Sequence, residues 1–304
     1  MEANRSAIKP RALASLFAML WLGVINGSCL AQVVGNTPGI DNAQEYFFKS
    51  DDLRIRYLVA GHGEPVILVH GWSASAEMWA TLMNDLSKDH EVIAMDCRGH
   101  GKSDKPHDSS QYGVEMAKDV IRLMDHLELK KAHVVGYSMG GGIVMKALLN
   151  YPDRFLSAVA GANAGFRESD EEWDKGLIKS LESGMPLSDA MIANRPAGMP
   201  EPPPPQREMM RQMDATQDPK ALAAQRRGNV GLRVTDEDLS KNTIPVLVIY
   251  GSRDTPERFD PVKKVFANAE FAVVEGAGHG SVPDTPVFVQ DVRSFLTKHA
   301  SGRP

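Results

Sequence analysis

From Glu45 onward, short apolar runs alternate with longer stretches whose apolar residues recur at helical spacing. The short runs are Glu45–Lys49, Arg54–Val59, Val66–Val69, Glu91–Met95, His133–Val135, Leu156–Ala160, Val246–Tyr250 and Phe271–Val274. They are rich in β-branched residues, which predicts strands. Between the later runs lie Glu77–Leu86, Val114–Leu127, Gly140–Leu149, Pro261–Phe266 and Val287–His299, read as helices; Val120, Leu123 and Leu127 fall on one apolar face. Such alternation is the pattern of a parallel sheet with helices on its faces, so the fold class is α/β. The first two runs can pair as an antiparallel edge.

From Phe166 to Asn242 the alternation breaks into a charged, helix-patterned region interrupted by the proline-rich run Pro200–Pro205. This predicts an insertion over the sheet and divides the chain into a leader (1–31), a core (32–165), the insertion (166–242) and the rest of the core (243–304). The insertion carries Met185, Met191, Met199, Met209, Met210 and Met213. Thioether side chains suit either a pliable apolar pocket or the insertion's own core. The proline run reads as an extended spacer.

The first 31 residues differ in kind. Arg5, Lys9 and Arg11 precede an apolar run from Ala12 to Ile25, and a small-residue stretch ends at Ala31. That is the layout of a secretory signal peptide, with Cys29 and Ala31 at the small-residue subsites and a mature chain beginning near Gln32. The expected location is secreted or periplasmic. An uncleaved membrane anchor is the alternative, although the run is shorter than the ~20 residues of a spanning helix. Once the leader is removed only Cys97 remains, so no intramolecular disulfide can form, and Cys97 is read as a buried filler. The formal net charge of -5 is spread along the chain without a basic stripe, which argues against a nucleic-acid partner.

The sharpest chemical signal is Gly136-Tyr137-Ser138-Met139-Gly140, which follows one apolar strand directly and leads straight into a helix. A serine on such a turn is held in a strained conformation, with flanking glycines removing the Cβ atoms that would clash. Its hydroxyl is exposed at a helix N-terminus, where backbone N–H groups favour developing negative charge. Serine needs a base, and the base needs a carboxylate. His279, in Gly276-Ala277-Gly278-His279-Gly280, follows the strand Phe271–Val274. Asp254 follows the strand Val246–Tyr250, with Asp260 as its rival. All leave the carboxyl ends of strands, where open α/β sheets gather their sites.

An oxyanion hole needs two donors. The backbone N–H of Met139 supplies one, and the N–H of Trp72, in the turn His70-Gly71-Trp72 after the strand Val66–Val69, supplies the other. His70 then organises that loop. The turn Asp96-Cys97-Arg98-Gly99-His100-Gly101-Lys102-Ser103 is read as architectural, because neither Walker nor dinucleotide-binding spacing is present. His62, His90, His107, His126 and His299 are expected in solvent, and His133 as a satisfied strand-edge residue. No cofactor motif and no metal-ligand spacing is found.

Together these residues resemble the α/β-hydrolase superfamily over nearly the whole span from Glu45 to His299. The resemblance rests on His70-Gly71-Trp72, Asp96-x-Arg98-Gly99-His100-Gly101-x-Ser103, Gly136-x-Ser138-x-Gly140-Gly141, Tyr151-Pro152-Asp153-Arg154, Gly251-x-x-Asp254 and Gly278-His279, in that order. The order Ser, Asp, His is a trait of the family. The resemblance implies an eight-stranded, mostly parallel sheet with a helical cap inserted before the strand that carries the acid. Among subfamilies the chain looks like the small carboxylesterases, carbon–carbon bond hydrolases and cofactor-free haloperoxidases; serine as nucleophile points away from the branches that use aspartate. The expected function is hydrolysis of a small or medium carboxylic ester, a small-molecule acyl substrate, by Ser138, His279 and Asp254. Thioester, lactone and carbon–carbon cleavage stay open, as does a ligand-binding protein with little turnover.

Overall fold

In the computed structural model of the protein, residues 39–166, 171–195, 201–254 and 259–302 are described. The leader and its cleavage point at Ala31 lie outside them. One eight-stranded sheet organises the chain, in the order β1-β2-β4-β3-β5-β6-β7-β8. β1 (Gln44–Ser50) and β2 (Leu53–Gly61) form the antiparallel edge, and β2 also runs antiparallel to β4 (His90–Met95). β3 (Glu64–Val69), β4, β5 (Ala132–Tyr137), β6 (Phe155–Gly161), β7 (Val246–Gly251) and β8 (Ala269–Val274) pair in parallel. Each predicted run lies within an observed strand. His133 sits in a central strand rather than at an edge. There its Nδ1 meets Ser157 Oγ at 2.7 Å and its Nε2 meets Glu64 at 3.1 Å.

The central strands are apolar at successive positions because both of their faces are covered. Ile67 and Val69 of β3 enter one core and Val66 and Leu68 the other; Val246, Val248 and Tyr250 of β7 oppose Leu247 and Ile249 in the same way. The first core takes α2 (Val114–His126), through Met116, Val120 and Leu123, and α3 (Met139–Asn150), through Ile143, Val144 and Ala147. α1 (Ala80–Leu86) fills the second, and a short 3-10 turn, Ala76–Trp79, precedes it, so the helix predicted from Glu77 is split in two.

Among the described residues five α-helices separate β6 from β7: α4 (Glu171–Glu182), α5 (Leu187–Ala193), α6 (Pro204–Asp214), α7 (Pro219–Gly228) and α8 (Asp236–Ser240). Leu177, Ile178, Leu181, Leu187, Ala190, Leu222 and Ala223 form a small core of their own, against which Met185 and Met191 pack. Met213 is 41% exposed, and Met199 lies outside the described residues. Met185 and Met191 thus fill the insertion, and Met213 faces solvent. The proline run is only partly a spacer. Pro203 is extended, but Pro204 occupies the first turn of α6, where its fixed φ and missing N–H cost nothing. After β7 come α9 (Asp260–Val265) and, beyond β8, α10 (Pro286–Lys298), whose Phe288, Val292, Phe295 and Leu296 complete the second core.

The loop after β4 is held by buried charges. Arg56, 1% exposed, bonds Glu45, Glu77 and Asp96, while Asp96 also accepts from the N–H groups of Ala76 and Lys102. Arg98 makes two 2.6 Å bonds to Asp119 of α2. A Cβ at Gly101, whose φ is +51°, would stand 2.1 Å from the Asp96 carboxylate. Among the remaining histidines, His62 and His107 are exposed, and His126 stacks on Phe48 and bonds Tyr57. His90 departs from expectation: it is buried, because it is the first residue of β4, paired with Glu64 of β3, and its Nδ1 lies 2.8 Å from Asp89.

Candidate active site

Ser138 follows β5 directly and is the N-cap of α3, with φ 53° and ψ −113°, a conformation a non-glycine residue avoids unless its surroundings enforce it. Three observations show the enforcement. Ser138 N–H donates to Gly161 O at 2.7 Å. A Cβ at Gly136 would meet Gly140 O at 2.2 Å, and a Cβ at Gly140 would meet Val69 O at 2.0 Å. The glycines of the motif are therefore required by the close approach of β5, α3 and β3.

Asp254 and His279 come to the serine from two laced loops. Ser252 N–H donates to Val274 O and Arg253 N–H to Ala277 O, both at 3.0 Å, and Gly276 N–H donates to Ser252 Oγ at 2.9 Å. The result is a continuous chain of bonds. His279 Nδ1 lies 2.8 Å from Asp254 Oδ2, and His279 Nε2 lies 2.9 Å from Ser138 Oγ. Asp254 is 8% exposed, whereas the His279 side chain is 47% exposed, so the acid is buried and the base opens to solvent. Asp260, the rival carboxylate, is exposed at the start of α9 and pairs with Lys263. The structure thus joins Asp254 to His279 and leaves Asp260 apart.

Tyr137, adjacent to the serine, carries a role its position in the motif does not disclose. Its hydroxyl donates to the backbone carbonyl of His279, and its ring lies 5.5 Å from the imidazole. Burial, with the charge of Asp254 added, pushes its phenol above the ordinary value, so the donor stays protonated.

The loop after β3 lies against the serine. A Cβ at Gly71 would sit 3.5 Å from Ser138 Cβ. His70, fully buried and held neutral by burial, donates from Nδ1 to Gly71 O at 2.7 Å and accepts the Cys97 N–H at Nε2, 3.0 Å away. It therefore ties the loop to the end of β4, and His100, driven down to about 3 by burial, packs edge-on against it. Met139 N–H lies in the first turn of α3, where a helix leaves its N–H groups without internal partners. Trp72 follows Gly71 in this loop, and its side chain packs on both the main core and the core of the insertion.

With this geometry in place, comparison with known proteins becomes informative. The sequence model of the alpha/beta hydrolase fold family matches residues 64–183, the stretch running from β3 through Ser138 into α4. Over that stretch the sequence matches the family, and the eight-stranded sheet of the chain is that of the α/β-hydrolase fold. Two relatives of the chain show how far the likeness extends. A dihydrolipoyllysine-residue acetyltransferase component of the acetoin cleaving system from Cupriavidus necator is 28% identical over 277 residues, covering 86% of this chain and 71% of the relative. An AB hydrolase superfamily protein of Bacillus subtilis is 28% identical over 244 residues, covering 73% of this chain and 87% of the other. Among solved structures, a thermophilic esterase from Thermogutta terrifontis superposes with a TM-score of 0.72 at 25% identity, over 84% of this chain and 99% of that one. Among the described residues no cluster of His, Cys, Asp and Glu could hold a metal ion, and no helix is long and apolar enough to cross a membrane.

Proposed function

We propose that this protein is a serine hydrolase that cleaves a small or medium carboxylic ester. The unbroken hydrogen-bond chain from Ser138 through His279 to Asp254 is the observation that carries this reading. Ser138 Oγ attacks the ester carbonyl as His279 Nε2 takes its proton, and the N–H groups of Met139 and Trp72 receive the oxyanion. Collapse of the tetrahedral adduct expels the alcohol, which leaves with the proton from His279. Water, deprotonated by the same imidazole, then releases the acid and restores Ser138. Asp254 accepts from Nδ1–H throughout, fixing the tautomer and stabilising the transient imidazolium.

The likeness to a solved esterase supports the same reaction class. Ser138→Ala is expected to abolish p-nitrophenyl ester hydrolysis and labelling by a fluorophosphonate. Full activity in that variant would refute the assignment, and a single burst without turnover would point to ligand binding instead.

A further inference from the structure

The insertion grips the loop that carries Trp72. The Arg226 guanidinium of α7 stands 4.2 Å over the Trp72 ring, within the range of a cation–π contact. Its side chain is 19% exposed and bonds Asp174 of α4 at 2.7 Å. Burial pulls the guanidinium below its ordinary value and the charge of Asp174 opposes this, so the cation is built in with its counter-ion. A second tie lies one residue on: Gln217 Nε2, just ahead of α7, donates to Ser73 O at 3.1 Å. Ser73 has φ 59°, a left-handed conformation that a serine holds only under restraint. The loop closes on itself through Ala74 N–H to Gly71 O at 3.2 Å. From below it is held by His70 and by the Gly71 N–H, which donates to Met78 Sδ at 3.5 Å.

We propose that Arg226 and Gln217 are positioning residues which hold the Trp72 N–H on the oxyanion, making the insertion part of the catalytic apparatus. The proposal rests on the serine-hydrolase reading. It follows from the placement of the two ties: one fixes the Trp72 side chain and the other the carbonyl of Ser73, so the peptide N–H between Gly71 and Trp72 is clamped on its C-terminal side. Without them the turn keeps its bonds at Gly71 but loses the restraints beyond Trp72, so the Trp72 N–H is held less tightly toward Ser138.

The test compares Arg226→Met, Arg226→Lys and Gln217→Met in the full chain, with Ser138→Ala alongside. Three readouts are needed: kcat and KM on p-nitrophenyl butyrate, inhibition by an alkyl trifluoromethyl ketone, and the thermal midpoint. The ketone forms a tetrahedral oxyanion on the serine. Loss of a whole donor typically lowers turnover about 10²–10³-fold, so a loosened donor is expected to cost about tenfold in kcat. KM should stay within about twofold, and the ketone's inhibition constant should rise by the same factor as kcat falls. Arg226→Lys, which keeps a cation over the ring, should recover most of the loss. Unchanged kcat and ketone affinity in Arg226→Met and Gln217→Met, with Ser138→Ala inactive, would overturn the proposal. So would a parallel fall in kcat, ketone affinity and thermal midpoint that lysine does not rescue, since that is a packing defect. Should Arg226→Met fail to fold, Arg226→Lys and Gln217→Met carry the same comparison. Retained hydrolysis in Ser138→Ala is a different failure, of the serine-hydrolase reading itself.

Discussion

Replacing Tyr137 by phenylalanine removes one oxygen and leaves the ring contacts to His279 and Phe288 in place. What is lost is the bond to the His279 carbonyl. That bond reaches the one segment of the site with little packing of its own: a Cβ at Gly276, Gly278 or Gly280 would meet nothing within 4 Å. An unmade bond to a part-buried carbonyl costs about 1–3 kcal/mol. Part of that falls on stability, and the rest on the placement of the imidazole, where a shift of about 1 Å can cost on the order of 10²-fold in rate. The expected outcome for Tyr137→Phe is a fall in kcat of about 5–50-fold, with KM nearly constant and stability lower by about 1–2 kcal/mol. Because burial keeps the phenol protonated, the ratio of mutant to wild-type rates should not change between pH 7 and pH 9. Steady-state hydrolysis across that range, with urea unfolding, measures both quantities. A variant with wild-type kcat would show that the histidine loop holds its place without the tyrosine.

Other expectations follow from the same geometry. Asp119→Ala strips the buried Arg98 of its bidentate partner, and removing one member of a buried pair costs about 3–5 kcal/mol, readable as a lowered urea midpoint; a change under about 1 kcal/mol would contradict the buried-pair account. Acidification should weaken the fold below about pH 6.5. His70, His100 and His133 are held neutral by burial, so the unfolded chain binds protons the native one refuses, and stability present above that pH is lost as pH falls, at up to about 1.4 kcal/mol per pH unit for each group. Asp119, raised by burial, runs the opposite way, and a stability flat between pH 7 and pH 5 would exclude the histidine effect. Expression of the full-length chain is expected to give an N-terminal peptide starting near Gln32, read by mass spectrometry; an intact N-terminus on membranes would favour the anchor instead.

The eight strands were legible because alternating apolar runs of β-branched residues mean one thing when helical stretches intervene. Ser138, His279 and Asp254 were legible for a related reason: each follows a strand within a few residues, so strand ends alone bring them to one rim. What stayed hidden depends on contacts distant in sequence. Tyr137 and His279 are 142 residues apart, and Gln217 and Ser73 are 144 apart, so no local pattern couples them. Arg226 lies in a charged helix whose sequence reads as solvated surface until Trp72 and Asp174 are placed around it. His90 was misjudged because the residue opening a strand looks like part of the preceding polar turn. Pro204 was misjudged because a proline run and a helix start share the same residues.

The lacing of the segments around Ser252–Asp254 and Val274–His279 has a consequence for how such a chain can change over time. Because backbone bonds join the two segments, an insertion or deletion in one shifts the register of the other, and neither can be exchanged alone between related proteins without misaligning acid and base. The two segments work as one unit although α9 and most of β8 lie between them along the chain.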